Sequence, residues 1–286
     1  MEVGEIVPIA NLKDLLTEAK KGNYAVGAFS IANMEMIMGA IKAAEELNAP
    51  IILQIAQVRL KHSPLQLIGP IMMSAAKNAK VPVAVHLDHG VTMECVNEAL
   101  KLGFTSVMID GSKYSLEENI DLTKKVKKEA EKYGASVEAE IGRVGGSEDG
   151  SEDISALYTD TQDAKKFYEE TGVNALAIGI GNAHGVYKGT PNLNFSVLQD
   201  VSKNVNVPLV LHGGSGISDE DFRKCVSLGM RKVNIATATF MSVAENVKKL
   251  CESNNVDYFK LHEAEIEGAY LNVKRHIKIF GTENKA

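Results

Sequence analysis

The sequence predicts a single-domain α/β chain over residues 1–286, folded as a (β/α)₈ (TIM) barrel. Apolar, β-branched runs recur about every thirty residues, each followed by a helical pattern. The residues with the most chemical potential end many different strands: Asp88 and His89, Asp110, Glu140, His184, His212 and Asn234. A barrel gathers strand ends around one mouth, whereas a doubly wound open sheet places its ligand at one switch point. With 286 residues, 45% of them hydrophobic, the chain has ample material for the core this requires.

Strands are expected at residues 24–30, 50–55, 82–88, 105–110, 136–141, 174–180, 208–212 and 232–236. Pro50, Pro82 and Pro208 open three of them, where a missing N–H is tolerated. Gly103, Gly134, Gly172 and Gly229 each end a helix before a strand. Between the first two strands, Ile37, Met38, Ile41, Ala44 and Leu47 form a core-packing stripe. Over 115–133, Leu116, Ile120, Thr123, Val126, Ala130 and Tyr133 keep a helical period, and Ser115 with Glu118 reads as a capping box. Residues 142–160 lack any period and are rich in glycine, serine and acids, with Gly145, Gly146 and Gly150 as hinges. A connection this long predicts a lid or a disordered segment. The charged stretch Lys274–Ala286 is expected to fray.

Composition narrows the function. The formal charge of -6 argues against a nucleic-acid-binding surface. Cys95, Cys225 and Cys251 fall in no metal or redox spacing, which suggests a reducing compartment. No N-terminal signal pattern and no long apolar run appears, so the expectation is a soluble cytoplasmic protein with no membrane partner.

His89, His184 and His212 are the strongest chemical signal, because three neutral imidazoles with a fourth position open are a common catalytic zinc site. His62, His262 and His276 are expected at the surface, and His86 as an orienting group or a core histidine. Asp88 has two readings: it orients a ligand histidine, or it is a general acid/base beside the metal. Asp110 and Glu140 fit an auxiliary cation site or partners behind the histidines, and Glu138 shares a strand face with Glu140. Gly213-Gly214-Ser215-Gly216 follows strand 7 and Asn234-Ile235-Ala236-Thr237 ends strand 8, the usual barrel location for a phosphate. Gly179-Ile180-Gly181 is no dinucleotide motif, since His184 stands at the third glycine and no acidic ribose partner follows.

These motifs, in this order, resemble the class II, metal-dependent fructose-bisphosphate and tagatose-bisphosphate aldolases. The resemblance runs from Ala28-Phe29-Ser30 to Phe280-Gly281. It rests on His86-Leu87-Asp88-His89-Gly90, Glu138-Ala139-Glu140-Ile141-Gly142 with Gly145-Gly146-Ser147-Glu148-Asp149-Gly150, His184-Gly185-Val186-Tyr187, Leu211-His212-Gly213-Gly214-Ser215-Gly216 and Val233-Asn234-Ile235-Ala236-Thr237. It implies catalytic zinc on His89, His184 and His212, with Asp110 and Glu140 at an alternative metal position. It implies that Asp88 exchanges a proton with the C4 hydroxyl of a phosphorylated ketose and that Glu148 is the base acting on dihydroxyacetone phosphate. Gly185, Lys188, Gly213, Gly214, Ser215, Asn234, Ile235, Ala236 and Thr237 would hold that phosphate with a monovalent cation, Na⁺ or K⁺. A homodimer or homotetramer and a place in glycolytic carbohydrate metabolism are implied as well.

The match departs at the distal end of the substrate. Many relatives follow the strand-2 glutamine with serine and glycine, where this chain has Ala56 and Val58 after Gln54. Arg59 offers a replacement charge or lies on an exposed helix, and the C-terminal arginine pattern is reduced to Lys274-Arg275-His276-Ile277-Lys278. The strand-8 motif continues Ala238-Thr239, without the acid many relatives carry there. The substrate is therefore expected to be a bisphosphate, a ketose 1-phosphate or a less usual sugar phosphate. The rival readings are a metal-dependent sugar-phosphate epimerase or isomerase, and a non-catalytic barrel.

Overall fold

A computed structural model describes residues 9–146, 155–187, 189–253 and 255–286. Eight parallel strands close in chain order: β1 (Val26–Ser30), β2 (Ile51–Ala56), β3 (Val83–Gly90), β4 (Ser106–Ile109), β5 (Ser136–Ile141), β6 (Ala175–Ile178), β7 (Leu209–Leu211) and β8 (Met230–Ile235). The barrel shuts where β1 pairs with β8, Ala28 against Asn234 and Phe29 against Ile235. Each strand lies within a few residues of its expected place, because β-branched runs bounded by proline and glycine have little other way to bury both faces.

The two-residue period of a strand decides what enters the barrel. On β3, Val83, Val85 and Leu87 join the outer, helix-facing core, while Ala84 belongs to the inner cluster. His86 and Asp88 share the parity of Ala84 and are fully buried. On β2, Leu53 and Ile55 lie in the outer core and Ile52 in the inner one, on the parity of Gln54.

The lower part of the interior is apolar. Ala28, Ile52, Ala84, Ala175, Ala177 and Val210 pack on Leu12, Leu15, Leu16 and Ala19 of α1 (Leu12–Gly22), which plugs the N-terminal end. The alanines leave room for that plug. Above them the interior turns polar, with Gln54, His86, Asp88, Ser106, Glu138 and Lys232 all fully buried.

The helices of the outer ring are α2 (Met34–Glu46), α3 (Leu65–Asn78), α4 (Met93–Lys101), α5 (Leu116–Glu131), α6 (Thr161–Thr171), α7 (Phe195–Asn204), α8 (Asp219–Ser227), α9 (Thr237–Glu252) and α10 (Tyr258–Phe280). Ser115 and Glu118 form the expected reciprocal box at the start of α5. The glycines expected to stop helices, Gly103, Gly134, Gly172 and Gly229, all have left-handed backbone. Two stripe residues are corrected. Met38 is 48% exposed and Met36 takes its place in the core, because the buried positions 36, 37, 40, 43 and 44 follow the helical period and 38 falls outside their arc. Tyr133 lies beyond the end of α5 and is exposed.

The C-terminal stretch is ordered rather than frayed. The charges of 274–280 lie on one side of α10, while His276, Ile277, Ile279 and Phe280 are buried on the other. The N–H groups of Lys285 and Ala286 donate to the carbonyl of Asn48, each at 3.0 Å.

His276, expected at the surface, sits 1% exposed in an aromatic box of Phe29, Phe222 and Phe280. Its Nδ1 hydrogen-bonds the Asn272 carbonyl at 2.8 Å. Burial pushes its pKa down to about 4, against a smaller upward pull from that carbonyl. A folded-state pKa below the unfolded value means stability that is full above the ordinary histidine range and is lost as pH falls toward 4. His276→Phe is expected to remove this loss, worth up to about 3 kcal/mol between pH 6.5 and 4. Denaturant unfolding of both proteins at pH 7 and pH 4.5 measures it, and equal losses in the two would refute it.

Candidate active site

His89, His184 and His212 arrive at the C-terminal mouth from three connections. His89 is the penultimate residue of β3, where the register against β4 slips between Leu87 and Gly90. Its φ of 41° is left-handed, a conformation that costs a non-glycine residue about 1–3 kcal/mol and clusters at functional sites. His184 lies on the loop after β6, and His212 directly follows β7. The ring centroids are 4.8 Å apart for His89 and His184, 4.6 Å for His89 and His212, and 5.9 Å for His184 and His212. One nitrogen from each ring lies within 4.8 Å of the others.

Carboxylates stand behind two of the rings. Asp110 Oδ2 meets His89 Nδ1 at 2.9 Å, and Glu138 Oε1 meets His212 Nε2 at 2.8 Å. Such contacts fix which nitrogen is left for an ion. His212 Nδ1 and Glu140 Oε2 lie 3.2 Å apart, buried, and neither makes a hydrogen bond. Two unsatisfied buried polar atoms beside two further imidazoles are what a divalent ion would complete. The donor set therefore fits a metal such as zinc. His89, Asp110 and Glu140 also converge within 4.8 Å, although Asp110 is already engaged with the His89 ring.

The charges follow from these contacts. Burial and neighbouring His89 push His212 down, but the Glu138 hydrogen bond and the adjacent Glu140 carboxylate outweigh them and raise it to about 9. Burial, with His89 and His212 alongside, pushes His184 down to about 3. Burial would raise the Asp110 carboxyl, yet the His89 hydrogen bond and charge hold it well below the usual range.

Asp88 is fully buried next to this cluster. Its Oδ2 accepts from Gln54 Nε2 at 3.0 Å and its Oδ1 from Asn234 Nδ2 at 3.1 Å. Since Asp110 orients the His89 ring, Asp88 is left facing two amides.

The glycine turn after β7 is stitched to the start of α9. Gly214 N donates to the Asn234 carbonyl at 3.1 Å, and Ala238 N donates to Ser215 Oγ at 2.9 Å. Gly213 has φ 61°, and a Cβ there would lie 2.2 Å from the Ala183 carbonyl oxygen, so only glycine fits. Ala236 precedes α9 and provides no side-chain cap; Ser215 Oγ from the β7 turn caps the Ala238 N–H of the first helical turn instead. Ile235 turns its side chain into the outer core, so only its backbone reaches the mouth. Gly185 has φ 79° and open space around its Cα.

The 142–160 connection is anchored at both ends. Arg143 and Leu157 exchange backbone hydrogen bonds at 2.9 Å, and Gly145 ties this base to the histidine loop through Asn182 O at 3.0 Å and His184 N at 2.7 Å. Gly150 and the expected base Glu148 lie outside the described residues, as does the expected phosphate ligand Lys188.

At the strand-2 mouth, residues Gln57–Lys61 form a 3₁₀ turn. Gln57 Oε1 accepts from Val91 N at 2.7 Å and Thr92 N at 3.2 Å. Arg59 is half-buried on this turn rather than on an exposed helix, with its guanidinium 5.3 Å from the Phe240 ring centroid. Sequence reasoning missed Lys232, buried inside the barrel, and did not pair Gln54 with Asp88. The strand parity of Lys232 with Asn234 was the available signal.

The sequence matches the family described as "Fructose-bisphosphate aldolase class-II" over residues 10–285. It is 40% identical to a sulfofructosephosphate aldolase of Alkalicoccus urumqiensis, covering 96% of this chain and 97% of that protein. It is 37% identical to a fructose-bisphosphate aldolase of Staphylococcus aureus, covering 98% and 100%. Among solved structures, the YdjI aldolase of Escherichia coli K12 superposes with a TM-score of 0.88 at 36% identity, covering 97% of this chain and 99% of that one. Among the described residues, no helix is long and apolar enough to cross a membrane. Likeness this close to end to end, carried at the level of residues as well as of fold, makes the chain an aldolase, a carbon–carbon lyase belonging to the class II fructose-bisphosphate aldolase family.

Proposed function

We propose that the protein is a zinc-dependent aldolase that cleaves a phosphorylated ketose to dihydroxyacetone phosphate and an aldehyde. The observation that carries this reading is the meeting of three imidazoles beside a buried, amide-held carboxylate at the barrel mouth. His89, His184 and His212 would hold the zinc. Bound there, zinc would supply Lewis-acid stabilisation of the negative charge that carbon–carbon cleavage leaves on the three-carbon fragment.

The other tasks fall to the chain itself. Asp88 accepts the proton of the C4 hydroxyl as the bond breaks and returns it in the reverse direction. Glu148 carries the second proton transfer, at the carbon of dihydroxyacetone phosphate, so the two steps use separate carboxylates. Gly185, Lys188, Gly213, Gly214, Ser215 and the Asn234–Thr237 segment bind the phosphate through backbone N–H groups and charge, with Na⁺ or K⁺ alongside. Fixing the phosphate end and the reacting end together orients the bond to be cleaved. Asp110 and Glu138 keep the His89 and His212 rings aimed; the contact between Asp110 and His89 supports that role over direct ligation.

The distal end of the substrate is where this chain departs from many relatives. Ala56 and Val58 remove a hydroxyl and a glycine, and Gln57 is spent on the start of α4. The resemblance to a sulfofructosephosphate aldolase favours a distal group other than phosphate. The test is a panel of fructose 1,6-bisphosphate, tagatose 1,6-bisphosphate, ketose 1-phosphates and sulfofructose phosphate, read by a coupled dihydroxyacetone phosphate assay and by product analysis. Formation of dihydroxyacetone phosphate with a second fragment is expected for at least one. An intact rearranged sugar would make the protein an epimerase, and no turnover on any member of the panel would sink the reading.

A further inference from the structure

One cation inside the barrel has no place in the reaction so far. Lys232 on β8 is fully buried, with Nζ 3.0 Å from Glu138 Oε2, 3.2 Å from Glu138 Oε1 and 2.7 Å from Asn234 Oδ1. Each partner leads to a different part of the site. Glu138 is itself fully buried and accepts from Nε2 of His212 at 2.8 Å. Asn234 donates through Nδ2 to Asp88 at 3.1 Å.

The chemistry of both contacts depends on the ammonium. A carboxylate with no solvent contact keeps its charge only with a compensating cation close by. Glu138 as a carboxylate accepts the Nε2 proton of His212, which leaves Nδ1 as the nitrogen turned toward Glu140 and the other two imidazoles. Asn234 can point its amide two ways. With the ammonium on one side and the Asp88 carboxylate on the other, only one satisfies both: oxygen toward Lys232, nitrogen toward Asp88. His86, Asp88 and Glu138 also bring ligand atoms together within 4.8 Å, and Lys232 already supplies the positive charge such a group would seek.

We propose that Lys232 is a positioning residue for both halves of the chemistry, setting the metal-binding nitrogen of His212 through Glu138 and the orientation of the Asp88 carboxylate through Asn234. The inference rests on the proposed reading of His212 as a metal ligand and Asp88 as the proton carrier. A lysine present only to fill the barrel would affect folding and nothing else.

The test uses the full chain with Lys232→Met, and with the double variant Lys232→Met/Glu138→Gln, which removes both charges at similar volume and protects the fold. Zinc affinity is measured by competition with a chromophoric chelator, the site geometry by the visible absorption of the cobalt-substituted protein, and kcat and KM at saturating zinc. In the folded variants zinc affinity is expected to fall about 10–100-fold. The cobalt bands should shift, and kcat should fall at least about 10-fold while KM changes little, as befits lost positioning in the transition state. Wild-type zinc affinity or wild-type kcat in a folded variant overturns the dual role. Wild-type protein that binds no zinc overturns the underlying reading of the site, and the inference falls with it.

Discussion

Asp88→Ala is expected to lower kcat by about 10²–10⁴, the range that a positioned proton-transfer group contributes. Zinc content should stay at the wild-type level. The reason lies in how the carboxylate is held. Both its oxygens accept amide hydrogen bonds, from Gln54 and Asn234, and the neighbouring imidazole of His89 is aimed by Asp110. Removing Asp88 therefore takes away the proposed proton carrier and leaves the rings oriented. Two buried amides lose their acceptor, so stability should fall by about 1–3 kcal/mol for each group left unsatisfied. Steady-state kinetics, metal analysis and denaturant unfolding on one preparation separate these effects. Loss of zinc alongside activity would reassign Asp88 to holding the site together.

Chelation is expected to abolish turnover, and added zinc to restore it. Three imidazole nitrogens and an unsatisfied Glu140 oxygen share one small volume, and electrophilic help to the breaking bond would come from there. A lysine adduct is the chemical alternative for an aldolase. Lys232 is the fully buried lysine among the described residues, and its Nζ is occupied by Glu138 and Asn234. Borohydride in the presence of substrate should accordingly trap nothing. Full activity after exhaustive chelation, with inactivation by borohydride, would overturn the metal reading.

Much of the barrel was legible because strand composition and punctuation are local properties. Proline at the start of a strand and glycine after a helix act within a few bonds of their own position, so β1 to β8 fall where the sequence places them. Convergence of the three histidines was legible too, since parallel strands put every strand end at the same mouth. Errors arose where a residue's surroundings come from distant segments. His276 reads as part of a charged tail, but Phe29 and Phe222, remote in sequence, enclose it. Met38 belongs to an apolar run, yet the arc of α2 that meets the barrel passes through Met36 instead.

The sequence by itself determined the strand count, the barrel and the identity of the imidazoles, because each follows from local periodicity and from residues adjacent in the chain. Tertiary structure alone decided what each charged group faces. Asp110 holds His89, Glu138 stands between Lys232 and His212, and Asp88 rests on Gln54 and Asn234. Partners such as Asp88 and Asn234 are 146 residues apart in the chain. Strand parity says that such residues point inward. Which of them touch depends on barrel closure and stagger, and these are set by all eight strands together.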